Sequence, residues 1–259
     1  MASRRYGGPS FRWGGDRTTP AIKTLLIATT AVFIVQTLIT QIYGYRGEVW
    51  VFTWFGLIPS AVIPGLRLWQ PFTYLFLHGG LMHILINLLI LWMFGCDLEH
   101  VWGARKFYRY YFTCGVGAGL FNIAAAWTAA HFGKAGVDVA TIGASGAIFG
   151  VLIANAVLFP DRQVGLIFPP VVLSMRVFVG VMAAIEFFSE LSSGGDNVSH
   201  ICHLGGILIG YIYLRRGSFF FNTRNAVADW QRKRTRRKFE VYMRKRSGDP
   251  PGPPDRWVN

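Results

Sequence analysis

The sequence is poor in acid: thirteen Asp and Glu stand against twenty-six Lys and Arg, a formal net charge of +13 in 259 residues that are 52% hydrophobic and 15% aromatic. So much apolar mass beside so much charge requires the two to be separated along the chain, the pattern of a membrane protein with basic flanks. Cysteine is scarce: Cys96, Cys114 and Cys202 lie within or at the ends of apolar runs without paired spacing, so no disulfide framework is read from them. No small-residue cleavage pattern follows the first apolar run, which is too long for a signal-peptide core, so the basic start MASRRYGGPSFRWGGDRTTP is expected to lead into an uncleaved signal anchor. Neither an internal repeat nor charges near the middle of the apolar segments are evident, which argues against a small-molecule transporter.

What the chain does have is six apolar segments, near 21–43, 79–97, 107–129, 143–159, 175–191 and 198–214. Most approach the roughly 20 residues that a helix needs to cross a bilayer core. The first opens on Thr19-Pro20, a capping residue followed by proline at the first helical position. Gly79-Gly80 marks the natural start of the second, and Pro169-Pro170 predicts a surface loop over 160–174 with the fifth helix starting beside Arg176. If both termini are cytoplasmic, twenty-three basic residues lie inside against only Arg46, Arg67 and Lys134 outside, which satisfies the positive-inside rule. The expected architecture is an all-α membrane bundle of six transmembrane helices: a basic cytoplasmic tail over 1–20, the helical domain over 21–214, and a second basic cytoplasmic tail, partly disordered, over 215–259. A cell inner membrane location follows.

The outside segment 44–78 is long and aromatic, with Trp50, Phe52, Trp54, Phe55 and Trp69. It reads either as a structure lying partly in the interfacial zone, where indole rings are favoured, or as a plain extracellular loop. The tail from Arg215 carries thirteen Lys and Arg and four acids. Anionic lipid headgroups are its expected partner, at about 1 kcal/mol per basic residue near the surface. Nucleic acid is not expected, since juxtamembrane basic clusters such as RKRTRRK are ordinary in membrane proteins.

With both termini inside, the second, fourth and sixth helices run inward, and polar residues near their starts share the outer part of the bilayer: His78, His83 and Asn87, Ser145, and His200 and His203. Polar groups in spanning segments are costly, and several at one depth point to a water-filled site. Ser145 lies beside Gly146 and Gly150, and His203 precedes Gly206 and Gly210. Two small-xxx-small faces approach closely enough to bring a serine and a histidine within hydrogen-bond reach. A neutral imidazole is the usual group to take a serine proton. Taken alone, Ser145 reads far more readily as a packing residue of a small-residue interface than as a nucleophile; its pairing with a histidine at matched depth favours chemistry. His83 and Asn87, four apart and on one helix face, are either donors to a developing oxyanion or interhelical packing contacts. Glu186 is the one acid near that depth, at the outer end of the fifth helix, and the expectation is a Ser–His dyad without it. His200 lacks the glycine spacing of His203 and is expected at the rim or in packing. Adjacent positions on a helix point apart, so His200, Cys202 and His203 are not expected to share a metal.

The segments HGGLMHILINLLILWMFG, GASGAIFG and HLGGILIG, in that order, resemble the signature of the rhomboid family of intramembrane serine proteases. The resemblance covers about residues 21 to 214 and leaves both tails outside it. It implies Ser145 as nucleophile, His203 as general base, His83 and Asn87 with the Ser145 N–H as the oxyanion hole, and Phe149 packed on the imidazole. It also implies a structural role for Glu99 and Arg105, and substrate entry between the second and fifth helices near Phe187 and Phe188. Where many members have Trp-Arg in the first loop this chain has Trp69-Gln70, so an ion pair by that arginine is lost. The implied activity is cleavage of transmembrane segments of single-pass or polytopic membrane proteins, with no cofactor and no metal. The runner-up is a catalytically silent relative that binds membrane clients.

Overall fold

The computed structural model describes residues 18–133, 136–166, 170–192 and 199–215, together with 230, 232, 235, 236 and 239; the expected tails lie almost wholly outside these. The elements in chain order are α1 (Pro20–Tyr43), α2 (Tyr45–Phe55), α3 (Pro59–Val62), α4 (Gln70–Thr73), a 3₁₀ turn (Tyr74–Phe76), α5 (Leu81–Trp102), α6 (Ala104–His131), α7 (Ser145–Leu158), β1 (Gln163–Gly165), β2 (Val172–Ser174), α8 (Met175–Ser192) and α9 (His200–Arg215). A helix thus fills each of the six apolar segments. By length and composition α1, α5 and α6 are able to cross a membrane, and α7 is apolar but shorter.

Local chemistry sets the boundaries. Gly103, at φ +75°, is the whole connection between α5 and α6, a left-handed position that costs other residues strain. Glu99, near the C-terminal end of α5, caps α1 from almost eighty residues away: it accepts from the Thr19 hydroxyl and from the N–H groups of Ala21 (2.8 Å) and Ile22 (3.0 Å). A carboxylate at a helix N-terminus satisfies otherwise orphaned donors and complements the helix dipole. Arg105, also expected to be structural, is exposed on the first turn of α6. Of the expected loop over 160–174, residues 167–169, with Pro169, lie outside the described residues, and the parts on either side are paired. Its strands β1 and β2 pair antiparallel, Gln163 opposite Ser174, and Arg162 pairs with Asp97 at the end of α5.

The aromatic segment 44–78 is built rather than loose. Trp54 and Trp69 stack with centroids 6.4 Å apart, and Arg67 lies 4.5 Å over the Trp54 ring while donating to the Thr53 carbonyl at 2.6 Å. Gln70, fully buried where the resemblance led one to expect arginine, accepts from the Ile58 N–H at 3.0 Å and donates to the Thr53 carbonyl at 2.9 Å. The neutral hydrogen bonds of Gln70, beside the Arg67 donation to the same Thr53 carbonyl, thus anchor the loop in place of the lost ion pair. Gln36 of α1 reads the segment's far end through a paired amide contact, donating to the His78 carbonyl at 2.6 Å and accepting from its N–H at 3.2 Å.

At the centre lies α7, with ten of its fourteen residues buried. It is apolar on all sides, as befits a helix surrounded by others, and it packs on α5, α6, α8 and α9. The approach to α9 is close because both helices are bare there. A Cβ on Gly206 would stand 2.0 Å from the Gly146 carbonyl oxygen, and one on Gly210 would stand 3.2 Å from the Gly150 Cα.

Candidate active site

Ser145 is the first residue of α7, two residues later than the expected start, because Gly143 at φ +121° cannot join the helix. The first N–H groups of a helix have no intrahelical acceptor and sit at the positive end of its dipole, so the Ser145 hydroxyl stands at a helix mouth already disposed toward negative charge. The preceding loop is fixed from three sides. Gly143 N–H donates to the Tyr74 carbonyl at 2.9 Å, Thr141 and Leu57 exchange backbone hydrogen bonds at 2.8 and 2.9 Å, and the Asn122 amide of α6 donates to the Thr141 hydroxyl at 3.1 Å. Asn122 in turn accepts from the Ser199 hydroxyl just before α9 at 3.0 Å. One side chain thereby braces the loop that ends at the serine and the start of the helix that carries the histidine.

The close crossing of α7 and α9 brings His203 Nε2 to 2.7 Å from Ser145 Oγ. Phe149, one turn along α7, stacks on the imidazole with ring centroids 4.7 Å apart and planes 24° off parallel. His83 of α5 borders the same space: its Nδ1 accepts from the Gly79 N–H at 3.3 Å, which leaves the proton of the neutral ring on Nε2. A Cβ on Gly143 would lie 2.9 Å from that Nε2 and 3.7 Å from Ser145 Oγ, so the glycine keeps open the gap between histidine and serine. Asn87, buried one turn further along α5, donates to the His83 carbonyl at 2.9 Å and is thus turned toward its own helix. His78 lies fully buried beside His83, ring centroids 5.0 Å apart.

One residue departs from expectation. The dyad is geometrically a larger unit, since Glu186 Oε2 of α8 lies 2.8 Å from His203 Nδ1. His200, expected at the rim or in packing, is packed inside: it is 8% exposed, and its Nδ1 lies 2.6 Å from the same oxygen. The sequence signal was present in Glu186 as the one acid near the right depth, but the axial register of α8 against α9 is not written in either helix alone. Cys202 points away from this group toward the Tyr74 hydroxyl, 3.6 Å distant. The donor atoms of Glu186, His200 and His203 all lie within 4.8 Å of one another, the chemistry of a metal site, but they are already joined by hydrogen bonds to one another.

Comparison with known proteins adds an independent line. A family model described as the Rhomboid domain matches residues 65–217. The chain is 27% identical over 192 residues to RHOMBOID-like protein 1 of Arabidopsis thaliana, 71% of this chain and 44% of that protein. It is 30% identical over 139 residues to Rhomboid protein 1, mitochondrial, of Saccharomyces cerevisiae, 53% of this chain and 38% of that one. It is 26% identical over 179 residues to Presenilin-associated rhomboid-like protein A, mitochondrial, of Danio rerio, 69% of this chain and 43% of that one. These matches span about two-fifths of each relative's own length.

Proposed function

This chain belongs to the rhomboid family, and we propose that it is an intramembrane serine endopeptidase that cuts transmembrane segments of membrane proteins. The observation that carries this reading is the 2.7 Å contact between Ser145 Oγ and His203 Nε2 at the mouth of α7. His203 takes the hydroxyl proton as Oγ attacks the scissile carbonyl, giving a tetrahedral oxyanion and an imidazolium. The Ser145 N–H, the His83 Nε2–H and the Asn87 amide, once it swings from the His83 carbonyl, are the donors for that oxyanion. Collapse breaks the C–N bond, the imidazolium proton leaves with the amine, and an acyl-serine remains. A water then gives His203 its proton, attacks the ester, and regenerates Ser145 with a free carboxylic acid. No cofactor takes part.

The six helices are six spans, with both termini on the cytoplasmic face of a cell inner membrane, as the basic loops favour. The fourteen residues of α7 extend only about 21 Å against a bilayer core of about 30 Å. A helix that short, set toward the inner face, leaves its first residue in a recess below the outer surface where water reaches the serine. Substrate enters between the outer halves of α5 and α8, where Met82, Leu85, Phe187 and Phe188 are exposed; the two helices meet deeper, at the stacked rings of Phe94 and Phe178. A helix hides its carbonyls in hydrogen bonds, so substrates with helix-weakening residues are cut most readily. Anionic lipids are the partners of the 215–259 tail.

The test is incubation of the purified chain with a generic transmembrane substrate and with a serine-reactive probe, beside Ser145→Ala and His203→Ala. Cleavage and labelling should both vanish in Ser145→Ala. Removing either residue should cost nearly as much as removing both, because the two act as a unit. Turnover retained in Ser145→Ala, or a folded wild-type chain that binds a membrane client without cutting it, would overturn the protease in favour of a silent client-binding relative.

A further inference from the structure

We infer that Glu186 and His200 are positioning residues that set which nitrogen of His203 faces Ser145; the inference rests on the protease reading and extends it. One oxygen, Glu186 Oε2, lies 2.8 Å from His203 Nδ1 and 2.6 Å from His200 Nδ1. Glu186 and His200 are nearly closed to solvent, at 7% and 8% exposure. An ionised carboxylate only accepts hydrogen bonds, so both Nδ1 atoms carry protons. A neutral His203 then has its lone pair on Nε2, aimed at the Ser145 hydroxyl 2.7 Å away, which is the tautomer that can take the serine proton. Had Glu186 been protonated it would donate to one imidazole. A donation to His203 would drive that ring to the Nε2–H form, pointing a hydrogen at the atom it must deprotonate.

The second histidine has its own part. Residues three apart on a helix share a face, so His200 and His203 present their Nδ1 atoms to the same side of α9, and both meet α8 at one atom. A single carboxylate at membrane depth is costly unless hydrogen-bonded or paired. His200 supplies a donor that holds the carboxylate in one orientation and stays in place while His203 cycles between imidazole and imidazolium. When His203 gains the proton, the Glu186 charge lies against it at 2.8 Å, so the carboxylate also stabilises the imidazolium formed in the attack. Among the described residues, the imidazole's other neighbours are uncharged: Ser145 and Phe149 on α7, and His83 on α5 with its Nδ1 occupied by Gly79.

The experiment combines kinetics with ¹⁵N-histidine NMR of the full chain in one detergent. In the Ser145→Ala background, His203 should show a protonated Nδ1 and a bare Nε2. Glu186→Gln should bring in the Nε2–H form and, in the active enzyme, lower kcat by about 10² to 10⁴ with KM within a few-fold, the upper figure being the loss seen when a serine-protease histidine is left in the wrong tautomer. Glu186→Asp should recover part of kcat. His200→Asn, whose amide keeps a donor near the place of Nδ1, should retain more activity than His200→Ala. A Glu186→Gln enzyme with wild-type kcat and unchanged His203 signals would overturn the inference. If Glu186→Gln does not fold, the His200 pair decides, and equal losses in His200→Asn and His200→Ala would overturn it. Because the tautomer is read without turnover, a wild type that cleaves nothing defeats the protease reading and leaves the tautomer result standing.

Discussion

Gly206 of α9 faces Gly146 of α7 so closely that a methyl group on Gly206 would stand 2.0 Å from the Gly146 carbonyl oxygen. Nothing flexible intervenes, since the obstacle is backbone. The serine and the histidine lie close to this contact, so the distance between them depends on the glycine.

Gly206→Ala should therefore separate α7 from α9. Overpacking of this kind typically costs about 1–3 kcal/mol, and a shift of even about 1 Å at a reacting pair can cost roughly a hundredfold in rate. Thermal unfolding and turnover in the same detergent check it: both should fall, turnover the more steeply. Wild-type turnover in Gly206→Ala would show that the crossing relaxes freely.

The oxyanion hole divides two readings of His83 and Asn87. As donors to developing charge, their loss should lower kcat by roughly tenfold to a thousandfold with little change in KM. As packing residues, their loss should lower the melting temperature and leave turnover per folded molecule unchanged. His83 already borders the site, whereas Asn87 must leave the His83 carbonyl to reach it; His83→Ala should be the more damaging of the two.

Glu99 is expected to serve stability and not the chemistry. Glu99→Gln keeps the shape but weakens three hydrogen bonds at the start of α1 and removes the charge that complements its dipole. Hydrogen bonds to charged groups contribute about 1.5–3 kcal/mol each, so the melting temperature should fall clearly while kcat per folded molecule stays at its wild-type value. A selective loss of kcat would tie α1 to the chemistry.

Removing residues 217–259 should leave the helical core able to cleave, because every residue of the site precedes Leu214. Trp230 meets Phe159 at the end of α7, ring centroids 5.8 Å apart, so a modest fall in melting temperature is expected. Binding to vesicles of anionic lipid should weaken, and the difference from the full chain should shrink at high salt. A truncated chain that folds but does not cut would give the tail a catalytic part.

Much of this protein was legible in its residues. Six apolar segments, the glycines at four-residue spacing beside Ser145 and His203, and polar residues out of place in an apolar run are local signals. They survive in any fold because a bilayer-length helix and a close helix crossing each impose their own period. What the tertiary structure decided lies between elements. Glu186 meets His203 and His200 only because α8 and α9 stand in one axial register; Glu99 caps α1 across the bundle; Gln70 anchors the first loop without an arginine's charge; and Asn122 braces the serine loop against the start of α9. Such partners are joined by hydrogen bonds of about 3 Å, and no helix carries in its own period the sliding position of its neighbour. That position is set by the sum of packing over all the faces at once, which only the folded chain computes.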